Sequence, residues 1–356
     1  MIRKWFIGCF LLLGLSACVK DKPNPAIRPE LNTAHRKALV LNEGSYGLNN
    51  ADISILDLDS GISLNQMYKL ANNKSLGDVA QHMTKIDGNY WIAINNSNRI
   101  VIIDTANLKE VATIQHVKYP RYILQVSPTK AYVSSMYFSY IQIIDIPSKT
   151  IVGQIPTDFP NQEQMILHEG MVYCTNWDTA SNLLYKINPN TDAVVKKINL
   201  PGRASHSIVK DKSNQLWILS GNKYKNKTST LSCLNPSQDT IIHSFTFPED
   251  ADPIKLSINL SGDTLYFIHV DYLGQTNNNG LFRMAITDNQ LPSTPFIQAQ
   301  PNSYIWGISI DPQTGHVFIT DPKGFTQQST VMEYTSEGKL LRSFPCGIGA
   351  NSILFP

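Results

Sequence analysis

The chain has 356 residues, of which 42% are apolar and 16% charged, and its formal net charge is +2. That length suits one large β fold or several smaller domains, and the apolar share is ample for a core. The near-balance of charge argues against a nucleic-acid surface or an acidic tail, and no long stretch has the biased composition of a disordered segment.

At the N-terminus, Arg3 and Lys4 precede an apolar run from Trp5 to Leu15, followed by Ser16, Ala17 and Cys18. The run is too short to cross a bilayer and has the form of a secretion signal. The small residues before Cys18 resemble a bacterial lipobox. That implies removal of residues 1–17 and lipidation of Cys18, the alternative being an ordinary signal peptide with an incidental cysteine. Several acyl chains on one residue make a stable anchor. The Lys20-Asp21 pair resembles the surface-export signal of Bacteroidetes lipoproteins. Residues 18–37 carry Pro23, Pro25 and Pro29 and read as a tether. The expected location is the outer membrane, lipid-anchored, at the cell surface.

Beyond Cys18, the cysteines are Cys174, Cys233 and Cys346, each inside an apolar run. An odd number forms no complete disulfide framework, so they read as small buried hydrophobes. No CxxC or His/Cys cluster has metal-ligand spacing.

From residue 38 onward no 12-residue stretch sustains a helical period. Short β-branched and aromatic runs recur instead between Gly, Pro, Asn and Asp. They repeat as a unit. ISILD (53–57), IVIID (100–104), IQIID (141–145), LLYKIN (183–188) and LSCLN (231–235) each end in Asp or Asn, at positions 41 to 47 residues apart. Such a side chain can bond the backbone of its own turn. The next two units give Leu281–Ile286 and Val331–Thr335 without the acid. In the second unit the four strands read as Val79–Ile86, Tyr90–Asn95, Arg99–Asp104 and Glu110–His116. In the third they read as Tyr122–Val126, Ala131–Ser134, Tyr140–Asp145 and Thr150–Ile155. Four strands at this period predict an all-β, seven-bladed β-propeller over residues 38–356. The first unit begins at a second strand, Ala38–Leu41, so the C-terminal run Ala350–Phe355 is expected to supply its innermost strand and close the ring. A two-domain β-sandwich is the alternative architecture.

In a propeller, loops between second and third strands share a face with the segments leading into each innermost strand. Here those loops are rich in aromatics and amides. The residues expected to contact a ligand are Tyr46, Asn49, Asp78, Asn96, Arg121, Tyr137, Phe138, Glu163, Trp177, His206, Tyr224, Tyr272, Trp306 and Phe325. Aromatics with polar tips bind flat, amphipathic ligands at low entropic cost. Each also has a plainer role: aromatics cap blade edges, while Asp78 and Asn96 bond loop amides. Asn42-Glu43-Gly44 carries the same ambiguity.

NEGSYG (42–47), LGDVAQHM (76–83), NNSNRIVIID (95–104), YPRYI (119–123) and EQM (163–165) resemble blocks of the YncE-like surface lipoproteins of Bacteroidetes. The resemblance spans the mature chain and is strongest in the first four blades. It implies a seven-bladed propeller. The BtuG-type branch of that family binds cobalamin and passes it to a TonB-dependent outer-membrane transporter, whereas sister branches have no known ligand. The resemblance therefore implies a corrinoid-type ligand such as cobalamin, a transporter partner and membrane attachment by lipid only. No cofactor and, apart from the transporter, a monomer are expected; dispersed basic residues and a rim without a Lys/Arg stripe argue against nucleic acid. His206 could ligate a corrinoid cobalt.

No GxSxG, HExxH or P-loop is present, and no catalytic residue is assigned. Two other readings stand beside ligand capture. One is an interaction propeller for a surface protein, peptide or glycan. The other is a lyase or lactonase in which Glu43, Asp78, Glu163 and His206 converge on the central channel.

Overall fold

The strands expected to be buried are apolar at nearly every position, which requires covering on both faces. In the computed structural model, which describes residues 34–222, 225–273 and 278–356, that covering comes from neighbouring blades. Among the described residues, seven four-stranded antiparallel sheets form from His35 onward. Blade 2 runs outward as Ala80–Ile86, Asn89–Ile94, Arg99–Asp104 and Glu110–Gln115. Blade 3 follows with Pro120–Ser127, Lys130–Ser135, Tyr140–Asp145 and Thr150–Pro156. The innermost strands of blades 4 to 7 are Gln162–His168, Ser205–Lys210, Pro253–Ile258 and Gly307–Ile310.

Blade 1 is built from both ends of the propeller. Lys37–Asn42, Asp52–Asp57 and Ile62–Leu64 are its outer three strands, and Ala350–Leu354 is the innermost, as the sequence predicts. Val40 pairs with Ile353 and Leu39 with Leu354, so the backbone of the first strand does not remain an open edge.

Successive residues of a strand point to opposite sheet faces, and here each face meets a different blade. Tyr90, Ile92 and Ile94 pack with Leu41 and Ile53 of blade 1. Trp91 and Ala93 turn the other way, onto Ile123 and Val133 of blade 3. The same division gives each of the seven blade interfaces its own hydrophobic cluster. Cys174, Cys233 and Cys346 lie in three of them, buried and free.

The turn reading also holds. Asp57, Asp104, Asp145, Asn188 and Asn235 each accept a backbone N–H two or three residues ahead. Met67–Asn72, between blades 1 and 2, is an α-helix of six residues that the period did not predict. It is held by Tyr68, whose N–H donates to Asp52 Oδ1 at 2.9 Å and whose ring is buried. No helix among the described residues is long and apolar enough to cross a membrane.

Candidate functional site

The lead-in to each innermost strand is one recurring five-residue step. It reads VAQHM (79–83), YPRYI (119–123), NQEQM (161–165), ASHSI (204–208), DPIKL (252–256), WGISI (306–310) and GANSI (349–353). The first residue has a left-handed φ at Val79, Tyr119, Asn161, Ala204 and Gly349. Just after it the ladder slips register in blades 2 to 6. Such a bulge re-aims side chains. The fifth residue enters a blade interface, as Met83, Ile123, Met165, Ile208, Leu256 and Ile353 do.

In blades 2, 4 and 7 the fourth residue bonds the next blade. His82 Nδ1 accepts the Ile123 N–H at 3.2 Å, Gln164 Oε1 the Ile208 N–H at 3.0 Å and Ser309 Oγ the Ile353 N–H at 3.0 Å. The third residue is Gln81, Arg121, Glu163, His206 or Ile254 in blades 2 to 6, and all five line one central cavity of about 740 Å³. That volume is in the range of small-molecule sites.

The cavity floor is polar and connected. Arg121 Nε donates to Glu163 Oε1 at 2.7 Å, and its Nη1 donates to Gln81 Oε1. Trp306 Nε1 donates to Glu43 Oε1 at 3.0 Å. Lys255 Nζ bonds Asn351 Oδ1 and stands 5.3 Å from the centre of the Trp306 ring. Asn351 Nδ2 in turn donates to the Gln81 carbonyl at 3.1 Å. Burial pushes the Glu43 carboxyl above its ordinary range, against the pull of Lys255, the Trp306 indole and Arg121. Glu163 is raised for the same first reason, with Arg121 opposing. Burial, then the charge of Lys255, lowers His206 to about 4, so its imidazole is neutral at physiological pH. Burial also lowers Lys255, with Glu43 opposing.

Aromatic side chains form the upper wall. Tyr46, Trp177, Tyr272, Trp306 and Phe325 all line the cavity. Trp306 and Phe325 meet edge-on at 5.4 Å, and Tyr272 meets Tyr304 at 5.1 Å. The structure thus brings together Tyr46, Arg121, Glu163, Trp177, His206, Tyr272, Trp306 and Phe325 from the predicted set.

Five predicted residues lie elsewhere. Asp78 accepts the Gly47 N–H on both oxygens, at 3.1 and 3.0 Å, and Asn96 Nδ2 donates to it at 2.5 Å. Both are loop braces, which is the plainer role that turn chemistry offered. Asn49 is exposed, and its carbonyl accepts the Ser75 hydroxyl. Asn50 does the bracing there, taking the Ser45 N–H at 2.7 Å. Tyr137 and Phe138 pack on Tyr119, outside the cavity lining. Tyr224 and Cys18 lie outside the described residues, as do residues 1–33 of the signal and tether.

The predicted set lacks Lys255, Gln81 and Asn351. Aligning the five-residue step across blades would have found Gln81 and Asn351 by position. Lys255 is a fourth-position residue, as are Tyr122 and Ser207, which also line the cavity, and its φ of 56° is left-handed. Among the described residues no three His, Cys, Asp or Glu side chains gather as metal ligands.

The family described as Domain of unknown function (DUF5074) matches residues 37–348. The chain belongs to that family. Its match spans the propeller from the first strand of blade 1 to the outermost strand of blade 7. Among curated proteins none matches. Solved structures similar to this DUF5074 propeller share its fold at low identity. A quinoprotein alcohol dehydrogenase-like protein from Bacteroides thetaiotaomicron aligns with TM-score 0.69 and 15% identity, over 89% of this chain and 77% of that one. A periplasmic gluconolactonase of Pseudomonas aeruginosa aligns with TM-score 0.66 and 9% identity, over 89% and 99%. A dihydro-heme d1 dehydrogenase aligns with TM-score 0.63 and 9% identity, over 92% and 76%.

Proposed function

We propose that this protein captures a ligand on the face where the central cavity opens, and that the ligand is a corrinoid of the cobalamin class. In this reading Cys18 carries the lipid anchor, the propeller works at the surface of the outer membrane, and a TonB-dependent transporter receives the ligand. The observation that carries it is the build of the cavity: an aromatic wall from Tyr46, Trp177, Tyr272, Trp306 and Phe325 over a floor of hydrogen-bonding side chains. A corrinoid has a broad ring with apolar faces and a fringe of amides. Aromatic rings suit the first, and Gln81, Arg121, Glu163 and Lys255 suit the second. Neutral His206 has the protonation state of a metal ligand, which supports its candidacy for the cobalt. The resemblance to YncE-like blocks adds support for the corrinoid and the transporter.

Isothermal titration of the chain from residue 19 onward with cyanocobalamin tests the reading. Tight one-to-one binding is expected, weakened by Trp177→Ala and Trp306→Ala. A flat trace with both cyanocobalamin and cobinamide overturns the corrinoid assignment.

A second reading, a lyase or lactonase, is favoured by the convergence of Glu43, Glu163 and His206 in one cavity, although Asp78 stays outside it. Turnover in a broad lactone and glycan panel, lost in Glu163→Gln, would support it.

A further inference from the structure

Lys255 lines the cavity from a strained backbone position. Its φ of 56° is left-handed, where a side chain with a Cβ is strained. Its step position also lines the cavity in blades 3 and 5, through Tyr122 and Ser207, but in blade 6 it brings an ammonium. There Nζ has a neutral partner, Asn351 Oδ1, and the face of the Trp306 indole. Among the described residues no carboxylate stands at ion-pair distance from it. An ammonium offers three donors. Two other cations line the cavity: Arg121 is already matched by Glu163, and Lys225 stands in the loop after Asn222, without the Trp306 face and the Asn351 bond that fix Lys255. Glu43 shares the cavity but is engaged by the Trp306 indole.

We infer that Lys255 is the anchor for an anionic oxygen of the ligand, a carboxylate or a phosphate carried on an apolar or aromatic body. This deepens the ligand-capture reading and rests on it. A charge-assisted hydrogen bond from a partly desolvated ammonium is strong, and the aromatic wall receives the body that bears the anion. Trp306 serves both parts: its ring stacks under the ammonium and edges the wall, and its N–H holds Glu43.

The test compares benzoate, phenyl phosphate and benzamide by isothermal titration on the chain from residue 19 onward. Benzamide matches benzoate in shape and lacks its charge. Binding of either anion, benzamide binding more weakly, and a loss of about tenfold or more in Lys255→Met are expected. Lys255→Arg, which keeps the charge, is expected to retain more affinity than Lys255→Met and so separates a lost anchor from a lost fold. Glu43→Gln is expected to tighten benzoate binding, because it removes the floor carboxylate that no guanidinium pairs.

Phenyl phosphate binding without benzoate assigns a phosphate, and the reverse a carboxylate. Equal binding of benzamide and benzoate, anion binding unchanged in Lys255→Met, or silence of all three probes overturns the anchor. Cyanocobalamin binding that survives Lys255→Met while the anions stay silent keeps the corrinoid reading and removes the anchor. Bound anions with a flat cobalamin trace do the opposite.

Discussion

His82 ties blade 2 to blade 3 through one ring nitrogen. Its Nδ1 accepts a backbone N–H from the next blade, a role open only to an unprotonated ring nitrogen. Burial, then the charge of Lys255, lowers it to about 4, as it does His206. An unfolded imidazole takes its proton near the ordinary value of 6.5, so the unfolded state binds more protons between that value and about 4. Each histidine therefore adds stability above 6.5 that is lost as pH falls, and the loss is complete below about 4. Glu43 and Glu163, raised by burial, act in the opposite sense. NMR titration of the folded protein should place both imidazole midpoints near 4, and a midpoint near 6.5 would remove the argument. His82→Gln should keep the bond to Ile123, as Gln164 does for Ile208, and flatten the fall of urea midpoint with pH.

At the scale of elements, the loop of residues 43–50 is an example of structure hidden in polar sequence. It ties three blades. Glu43 N–H donates to the Gly349 carbonyl at 2.8 Å, the Ser45 hydroxyl bonds the Phe325 carbonyl, and Gly47 N–H reaches Asp78. Those bonds set Glu43 in the floor and Tyr46 on the wall. Asp78→Ala leaves the Gly47 N–H and the Asn96 amide without their carboxylate, at a cost of about 1–3 kcal/mol in urea denaturation. Because Asp78 lies outside the cavity, the same variant should weaken ligand binding only through a loosened loop, seen as faster amide exchange across residues 43–50. Unchanged exchange there would reassign Asp78. The helix Met67–Asn72 belongs to this scale too. Six residues are too few for a period to register, and tertiary contacts fix it: Asp52 accepts the Tyr68 and Lys69 N–H groups, the Tyr68 hydroxyl donates to Glu110, and Asn72 bonds Leu108 and Glu110.

At the scale of the whole molecule, ring closure decides stability. The innermost strand of blade 1 brings Ile353 into the interface with blade 7 and Asn351 to Lys255 and the Gln81 carbonyl. Ending the chain at Gly349 should expose the paired edge of Lys37–Asn42 and remove the Lys255 partner. The expected outcome is a broad, non-cooperative melt and association in size-exclusion chromatography. A sharp monomeric melt at the wild-type temperature would show that the seam contributes little.

The sequence by itself determined the architecture. Blade period, alternating apolar runs and Asp/Asn turns are local or repeated signals, and seven repeats reinforce one another, so even the borrowed strand of blade 1 was legible from an orphaned apolar run. It also put aromatics such as Trp177 and Trp306 in loops that share one face, and in the structure both line the cavity there. It could not separate Tyr46 from Asn49, or Arg121 from Asp78, because both members of each pair are rim residues of suitable chemistry. Tertiary structure decided that by a few ångströms of reach and by which polar groups were already engaged. Only the fold reveals Lys255, because a ring of strands is needed before its ammonium, Trp306, Glu43 and Asn351 become neighbours.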